Sequence, residues 1–235
     1  MTGGPSRRKS LAQYREHARS YDSSFSVVSV RPVYRRALRR LAPHPGETIV
    51  DVACGTGLNL TALRNAVGPA GRVIGVEPSP DMLAVARSRL AERGWVNVEL
   101  IESAAEDAEL PEWLDAALFS FTHDVLRSPV AVERVAAALR PGGRALAAGS
   151  MNPWLPPLRP LLRRASKPYV TTLEGLDRPW SHLAERLKIE RVERPSSYLG
   201  SMYVVTASKS GSRGRSQRRK PRVHRAGGDR STAWP

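Results

Sequence analysis

One segment of ten residues constrains this chain more than any other: Val50-Asp51-Val52-Ala53-Cys54-Gly55-Thr56-Gly57-Leu58-Asn59. It is an apolar, β-branched run that breaks at two glycines and resumes as a helical pattern. A strand, a glycine turn and a helix in that order open a βαβ unit. Residues without a β-carbon let the backbone approach a ligand closely. The free N–H groups at the helix start favour a negative group.

The same alternation continues along the chain. Thr48–Ala53, after the turn at Pro45-Gly46, reads as the first strand and Leu58–Val67 as the first helix behind it. Arg72–Glu77 is a second strand, and Pro80–Arg93 a helix with Asp81 near its start and Gly94 as its stop. Asn97–Glu102 and Asp115–Phe121 are the third and fourth strands. Val130–Leu139 is a helix ended by Arg140-Pro141-Gly142-Gly143, and Arg144–Met151 a fifth strand. Leu187–Glu193 and Met202–Ala207 are strand-like with no helix between them. The expected class is α/β: a Rossmann-like, doubly wound, mostly parallel seven-stranded sheet with a terminal antiparallel strand pair.

Two helices, Leu11–Tyr21 and Pro32–Leu41, precede the first strand, the second with an apolar stripe through Val33, Ala37 and Leu41. A proline-rich insertion, 152–180, carries a basic amphipathic pattern between Trp154 and Ala165. It is read either as a helix packed on the sheet, as a lid over an apolar substrate, or as a contact with an anionic membrane surface. The expected domains are N-terminal helices over 1–44, a ligand-binding domain over 45–206 with the insertion as its lid, and a disordered basic tail over 207–235.

Composition supports one core and excludes several classes. The chain has 235 residues, 41% of them hydrophobic, and no run approaches the length of a transmembrane helix. Cys54 is the one cysteine, so neither an internal disulfide framework nor a multi-cysteine zinc site is expected. The first residues lack the apolar stretch of a secretory signal, and a reduced cytoplasmic setting is the default expectation. The net charge of +15 is concentrated at the ends: 207–235 hold nine basic residues and one acidic, and 1–19 five and one. That tail is either a solvated segment or a polybasic contact with RNA or anionic lipid.

The chemistry follows from two acids. Asp51 sits inside the strand, just before the glycine turn, where it would repel a pyrophosphate and attract an ammonium or sulfonium group. Glu77 ends the next strand, twenty residues after Gly57, where a carboxylate accepts from ribose hydroxyls. Leu60 stands where a dinucleotide fingerprint has its third glycine, which argues against a nicotinamide oxidoreductase. Together they ask for a nucleoside with a cationic amino-acid tail.

The sequence here resembles the class I S-adenosylmethionine-dependent methyltransferases, through VDVACGTG, VIGVEPSPDML, IESAAEDAELPEWLDAALFS and LRPGGRALAAG, in order across about residues 45–151. The resemblance implies S-adenosylmethionine as cofactor. Asp51, Gly55 and Gly57 would surround its methionine part and Glu77 its ribose. Pro78 and Met82 would pack near the adenine, with Ser103 and Ala104 at its rim, and Ala53 and Ser120 complete the set. The family often has Asp where Ser103 stands, so Glu102 or Glu106 is an alternative partner for the adenine. Tyr14 or Tyr21 would close over the cofactor. His123, with Asp124 to orient it, is either the base for the methyl acceptor or a positioning residue.

The acceptor is expected to be a small or amphiphilic molecule, lipid, quinone-like or secondary metabolite, with peripheral membrane contact and with nucleic acid reached only through the tail. The other reading is a non-catalytic S-adenosylmethionine-binding module with the same tail. Cys54 reads as a small packed residue, since no basic partner adjoins it.

Overall fold

Apolar strand residues alternate between two buried faces, and that alternation sets the architecture. The computed structural model describes residues 25–153, 174–195 and 201–211. The seven strands are β1 (Thr48–Val52), β2 (Arg72–Glu77), β3 (Val98–Glu102), β4 (Leu114–Ser120), β5 (Leu139–Ser150), β6 (Lys188–Glu193) and β7 (Met202–Ser208). They form one sheet in the order β3-β2-β1-β4-β5-β7-β6. β1 to β5 pair in parallel, while β7 runs antiparallel to both β5 and β6.

Ile49, Ala116, Leu118, Leu146, Ala148 and Val204 point to one face. There they meet α1 (Phe25–Leu41) through Val33, Ala37 and Leu41, α2 (Leu60–Val67) through Leu60 and Leu63, and α3 (Pro80–Ala91) through Leu83. Val50, Ala117, Phe119, Ala145, Ala147 and Val205 point to the other face. They meet the four-residue turn of helix α4 (His123–Leu126), then α5 (Pro129–Ala138) and α6 (Ser181–Arg186). Both faces of the parallel strands are covered, as their nearly unbroken apolar sequences require.

Helix starts are written locally. Ser79-Pro80 and Ser128-Pro129 are the same device: the serine Oγ accepts from the N–H of Met82 at 3.4 Å and of Ala131 at 3.3 Å. Proline then occupies the first helical position, where no N–H is needed.

Four expectations change. The second N-terminal helix begins at Phe25 rather than Pro32, because Pro32 lies inside α1 and costs it a hydrogen bond without ending it. β5 starts at Leu139, not Arg144. The Arg140-Pro141-Gly142-Gly143 segment bulges between the pairs Leu114↔Leu139 and Ala116↔Arg144. It is held in the sheet by Gly142 N–H donating to Lys209 O and Lys209 N–H to Gly143 O, both at 2.9 Å. The tail cannot begin at 207, because Ala207 and Ser208 belong to β7 and Lys209 Nζ donates to Ala137 O at 2.8 Å and Leu139 O at 2.6 Å. Finally, α4 and α6 are helices that no periodic pattern announced. The helices expected over Leu11–Tyr21 and after Trp154, and the tail over 212–235, lie outside the described residues.

The amino-terminal edge of the sheet is closed by paired charges. Arg144 bonds Glu47 through both guanidinium ends, at 2.9 and 2.6 Å, and donates to the carbonyls of Leu41, the last residue of α1, at 3.1 Å and of Ala42, just beyond it, at 3.2 Å. Burial works to raise the Glu47 carboxyl, but Arg144 and the His44 N–H outweigh it and hold it below the usual carboxylate range. Replacing Arg144 by alanine removes the guanidinium from two carbonyls and from a half-buried carboxylate that keeps only the His44 N–H. A loss of about 2 kcal/mol is expected by urea denaturation at pH 7. Because the folded carboxyl is depressed, this contribution is present above the ordinary glutamate pKa and fades as pH falls through the folded value. The gap between R144A and the native chain therefore narrows toward pH 3.

Candidate active site

The strand order reverses between β1 and β4, and at such a switch point ligands bind outside the carboxyl ends of the strands. The β1 exit shapes one wall. Ala53, Gly55 and Gly57 all have positive φ (+53°, +56° and +77°), which coils the backbone away from the strand. The two glycines do different work. A β-carbon at Gly55 would meet nothing within 4 Å, so the space before it is open. A β-carbon at Gly57 would lie 2.9 Å from Leu60 Cδ1 and 3.3 Å from Ala86 Cβ, so glycine there lets α2 seat against α3. The turn is tied down by Cys54 N–H to Val76 O and Gly57 N–H to Cys54 O, each at 2.9 Å. Cys54 is buried, with Sγ over Gly75, and burial pushes its thiol well up, so it packs rather than reacts.

Two buried carboxylates face this turn from adjacent strands. Asp51 is 1% exposed and Glu77 5%. Glu77 accepts from the N–H groups of Gly55 at 3.1 Å and Ser79 at 2.9 Å, which bridges the β1 and β2 exits. Burial raises its pKa, against those two bonds. Burial pushes Asp51 up to about 7, a bond from Asn59 opposes this, and the Glu77 charge adds to it. Asp51 Oδ2 has no hydrogen-bond partner. Among the described residues no cation is paired with either acid. Two such groups are costly to keep charged in the dry protein and become favourable when a positive ligand lies between them.

The remaining predicted residues ring the same end of the sheet. Pro78 follows Glu77 and is half-buried; Met82 is buried in the first turn of α3. Ser103 and the buried Ala104 follow β3, with Ser103 Oγ donating to Ala104 O at 3.0 Å. Glu102 is engaged with Arg87 at 3.1 Å. Ser120 closes β4, buried, with Oγ unpartnered. Tyr14 and Tyr21 lie outside the described residues.

The opposite wall is the β4 exit. Phe121 takes φ +59° and stacks its ring 4.8 Å from Tyr34 of α1. His123 and Asp124 then open α4. His123 Nε2 lies 2.8 Å from the backbone oxygen of Glu174, and Arg127 pairs with the Glu174 carboxylate at 2.7 Å. Burial lowers the His123 pKa, the Glu174 carbonyl and Asp124 raise it, and Arg127 lowers it. The returning end of the insertion is fastened to β5 as well. Asn152 N–H donates to Leu176 O at 2.8 Å and Asn152 Nδ2 to Asp177 Oδ1 at 3.0 Å. Trp180 is buried beneath it, 5.1 Å from Tyr203.

Asn59, Thr122 and Asn152 were not anticipated. A signal existed for the last two: each is a polar residue two positions past the end of an apolar strand, where parallel sheets collect ligands. Asp51 Oδ2, Ser120 Oγ, Thr122 Oγ1, His123 Nδ1 and Asn152 Oδ1 are the buried side-chain polar atoms left without a partner among the described residues. All five lie at the carboxyl ends of β1, β4 and β5. Native proteins rarely tolerate this except where a ligand or water completes the set. Among the described residues no group of three or more side chains is arranged to hold a metal. None of the described helices is long and apolar enough to cross a membrane.

Comparison with known proteins agrees with this geometry. Residues 49–143 match the family model described as a methyltransferase domain. Nocamycin O-methyltransferase of Saccharothrix syringae is 34% identical over 141 residues, which cover 57% of this chain and 48% of that one. An aklanonic acid methyltransferase of Streptomyces sp. (strain C5) is 31% identical over 182 residues, covering 74% of this chain and 80% of that one. The chain thus spans about half the length of the first of these relatives and most of the second. A SAM dependent methyltransferase from Aquifex aeolicus superposes with a TM-score of 0.63 at 20% identity, over 83% of this chain and 98% of its own, and shows the same fold. With the glycine turn and both strand-end acids gathered on one crevice, and four-fifths of a methyltransferase relative matched along its length, the chain belongs to the class I S-adenosylmethionine-dependent methyltransferases.

Proposed function

We propose that the chain binds S-adenosylmethionine in this crevice and directs its methyl group to a small or amphiphilic acceptor. The observation that carries the reading is the pairing of Asp51, buried with one oxygen unpartnered, with Glu77 around the open space before Gly55. Asp51 and the N–H groups of the turn would hold the zwitterionic methionine end. Glu77 would take the ribose hydroxyls on the lone pairs that Gly55 and Ser79 leave. Pro78, Met82 and Ala104 would supply apolar surface for the adenine, with Ser103 at its edge and Ala53 and Ser120 lining the floor. When bound, the cofactor supplies an electrophilic methyl on a positively charged sulfur. The protein's part is to orient the acceptor and exclude water, which in such sites is worth on the order of 7–11 kcal/mol.

The acceptor would enter between the β4 exit, with His123 and Asp124, and the segment 174–180 that returns from the insertion. The names of the relatives, an O-methyltransferase and an aklanonic acid methyltransferase, support a small organic acceptor. The unit that does this takes in α1 as well as the sheet, since Val33, Ala37 and Leu41 are part of its core.

Asp51→Ala and Glu77→Ala are each expected to weaken S-adenosylmethionine binding about 10- to 100-fold by calorimetry, with circular dichroism unchanged. Wild-type affinity in both folded variants would remove the reading. The pH dependence separates the two acids further. Asp51 ionises near 7 in the free protein, and only its charged form attracts an ammonium or sulfonium. Affinity should therefore fall as pH drops below 7, by up to about tenfold per unit. In Asp51→Asn that slope should flatten, and a slope unchanged in the variant would assign it elsewhere.

A further inference from the structure

Helix α1 carries five arginines, Arg31, Arg35, Arg36, Arg39 and Arg40, and no acidic residue. Val33, Ala37 and Leu41 bury one side of it against the sheet. Arg31, Arg35 and Arg39 each stand two residues from one of those core positions, about 200° round the helix, in a row about 12 Å long. All three are exposed, and among the described residues none is paired with an acid. Like charges four residues apart destabilise a helix, and a face that met only water would interleave glutamates. Arg36 and Arg40 turn to the flank, where Glu193 of β6 binds both, at 2.5 and 2.7 Å, and Arg191 at 3.4 Å. One carboxylate thus serves three guanidiniums, and the flank keeps a positive excess.

This row has a definite place in the fold. Tyr34 stacks on Phe121 at the exit of β4, and Leu41, at the other end of α1, meets Arg144 at the amino edge of the sheet. The helix therefore runs down the side of the sheet from the proposed acceptor entry to the amino edge. Ser208, the last residue of β7, pairs with Arg144, so the chain beyond it starts beside the foot of α1. That stretch adds eight basic residues and one acidic over 212–235. Positive charge sustained along one flank fits a polyanion. A single-stranded nucleic acid also asks for exposed rings on which its bases stack. Among the described side chains of α1 the one ring, Tyr34, is half-buried and engaged with Phe121. A layer of anionic lipid headgroups asks only for cations presented on a face.

We propose that the outward face of α1, through Arg31, Arg35 and Arg39, docks the protein on an anionic lipid bilayer. The contact is electrostatic and superficial, since no large apolar side chain is exposed on α1 among the described residues. Each guanidinium near the headgroups contributes roughly fivefold to the partition. The helix lies along the membrane, with the proposed acceptor entry beside the headgroups at its Arg31 end. The membrane contact expected of the insertion falls on residues outside those described; this one belongs to α1, whose sequence pointed only to a core-facing stripe. Docking needs neither cofactor nor acceptor, so it stands or falls apart from the methyltransferase reading.

The test is vesicle sedimentation with the full chain. The wild type should bind vesicles of phosphatidylcholine with about 30% phosphatidylserine in about 0.1 M salt, leave them in about 0.5 M, and ignore pure phosphatidylcholine. The triple variant Arg31→Gln, Arg35→Gln, Arg39→Gln should bind about 100-fold more weakly, with circular dichroism unchanged. Arg35→Glu alone, with an expected loss of about 30-fold, gives the same reading from one substitution. A control with the same change of charge, Arg72→Gln, Arg87→Gln, Arg93→Gln, sits around β2 and β3 and should stay within about fivefold of the wild type. Wild-type vesicle binding in the α1 variants, or an equal loss in the control, overturns the proposal. So does a triple variant that loses a mixed-sequence RNA and keeps the vesicles, which would give the face to nucleic acid. No methyl transfer enters these readings, so their failure leaves the proposed function standing, and a failure to bind S-adenosylmethionine leaves the docking face standing.

Discussion

Two carboxylates buried side by side, with no protein cation to balance them among the described residues, are the constraint on which this structure turns. Asp51 and Glu77 occupy the ends of neighbouring central strands, and burial raises the pKa of both. A chain selected only for stability would place apolar residues there, since the same strands fill every adjacent position with Val, Ile or Gly. Retaining the acids stores unfavourable desolvation in the free protein, which a cationic ligand at the proposed site would relieve. Binding and burial are in this sense one term, felt in opposite directions by the free and the loaded chain.

The opposite edge of the same sheet shows what these acids would look like if they were structural. Glu47 is clasped by Arg144, and Asp115 by Arg140 at 2.6 Å and by the N–H of Thr48 at 2.8 Å. Both have depressed pKa values, because guanidinium and N–H donors outweigh a burial effect of the kind that wins at Asp51. Charge is thus paired at Glu47 and Asp115, at the amino ends of β1 and β4, and left open at Asp51 and Glu77 toward the carboxyl ends.

How much of this could be read from the residues follows the range of the interactions. The glycine turn and the strand-end acids are local, spanning a few residues, and were legible in the sequence. Strand β2 falls on Arg72–Glu77 as anticipated, because a β-branched run between two turns admits one reading. Short or irregular elements were illegible. α4 has four residues and α6 six, too few to show a helical period. Proline misled at Pro32, where helix packing against the sheet overrides the lost hydrogen bond, and Pro-Gly-Gly misled in β5, where the end of β7 supplies partners from far along the chain. The ring of His123 was noticed, but its partner was not. Glu174 lies 51 residues downstream, and no periodicity connects the two.

That difference in range has a functional consequence. The residues proposed for the cofactor lie between Asp51 and Ser120, within the stretch that matches the methyltransferase family model over 49–143. The proposed acceptor wall is assembled by contacts that reach outside that stretch: Arg127 and His123 to Glu174, and Asn152 to Asp177. A local, sequence-encoded half can stay constant while a long-range half is rebuilt by changing one insertion, without disturbing the strands that carry both. The residues proposed for the cofactor thus sit on β1 to β4, and those proposed for the acceptor sit where Glu174 and Asp177 bond residues at the exits of β4 and β5.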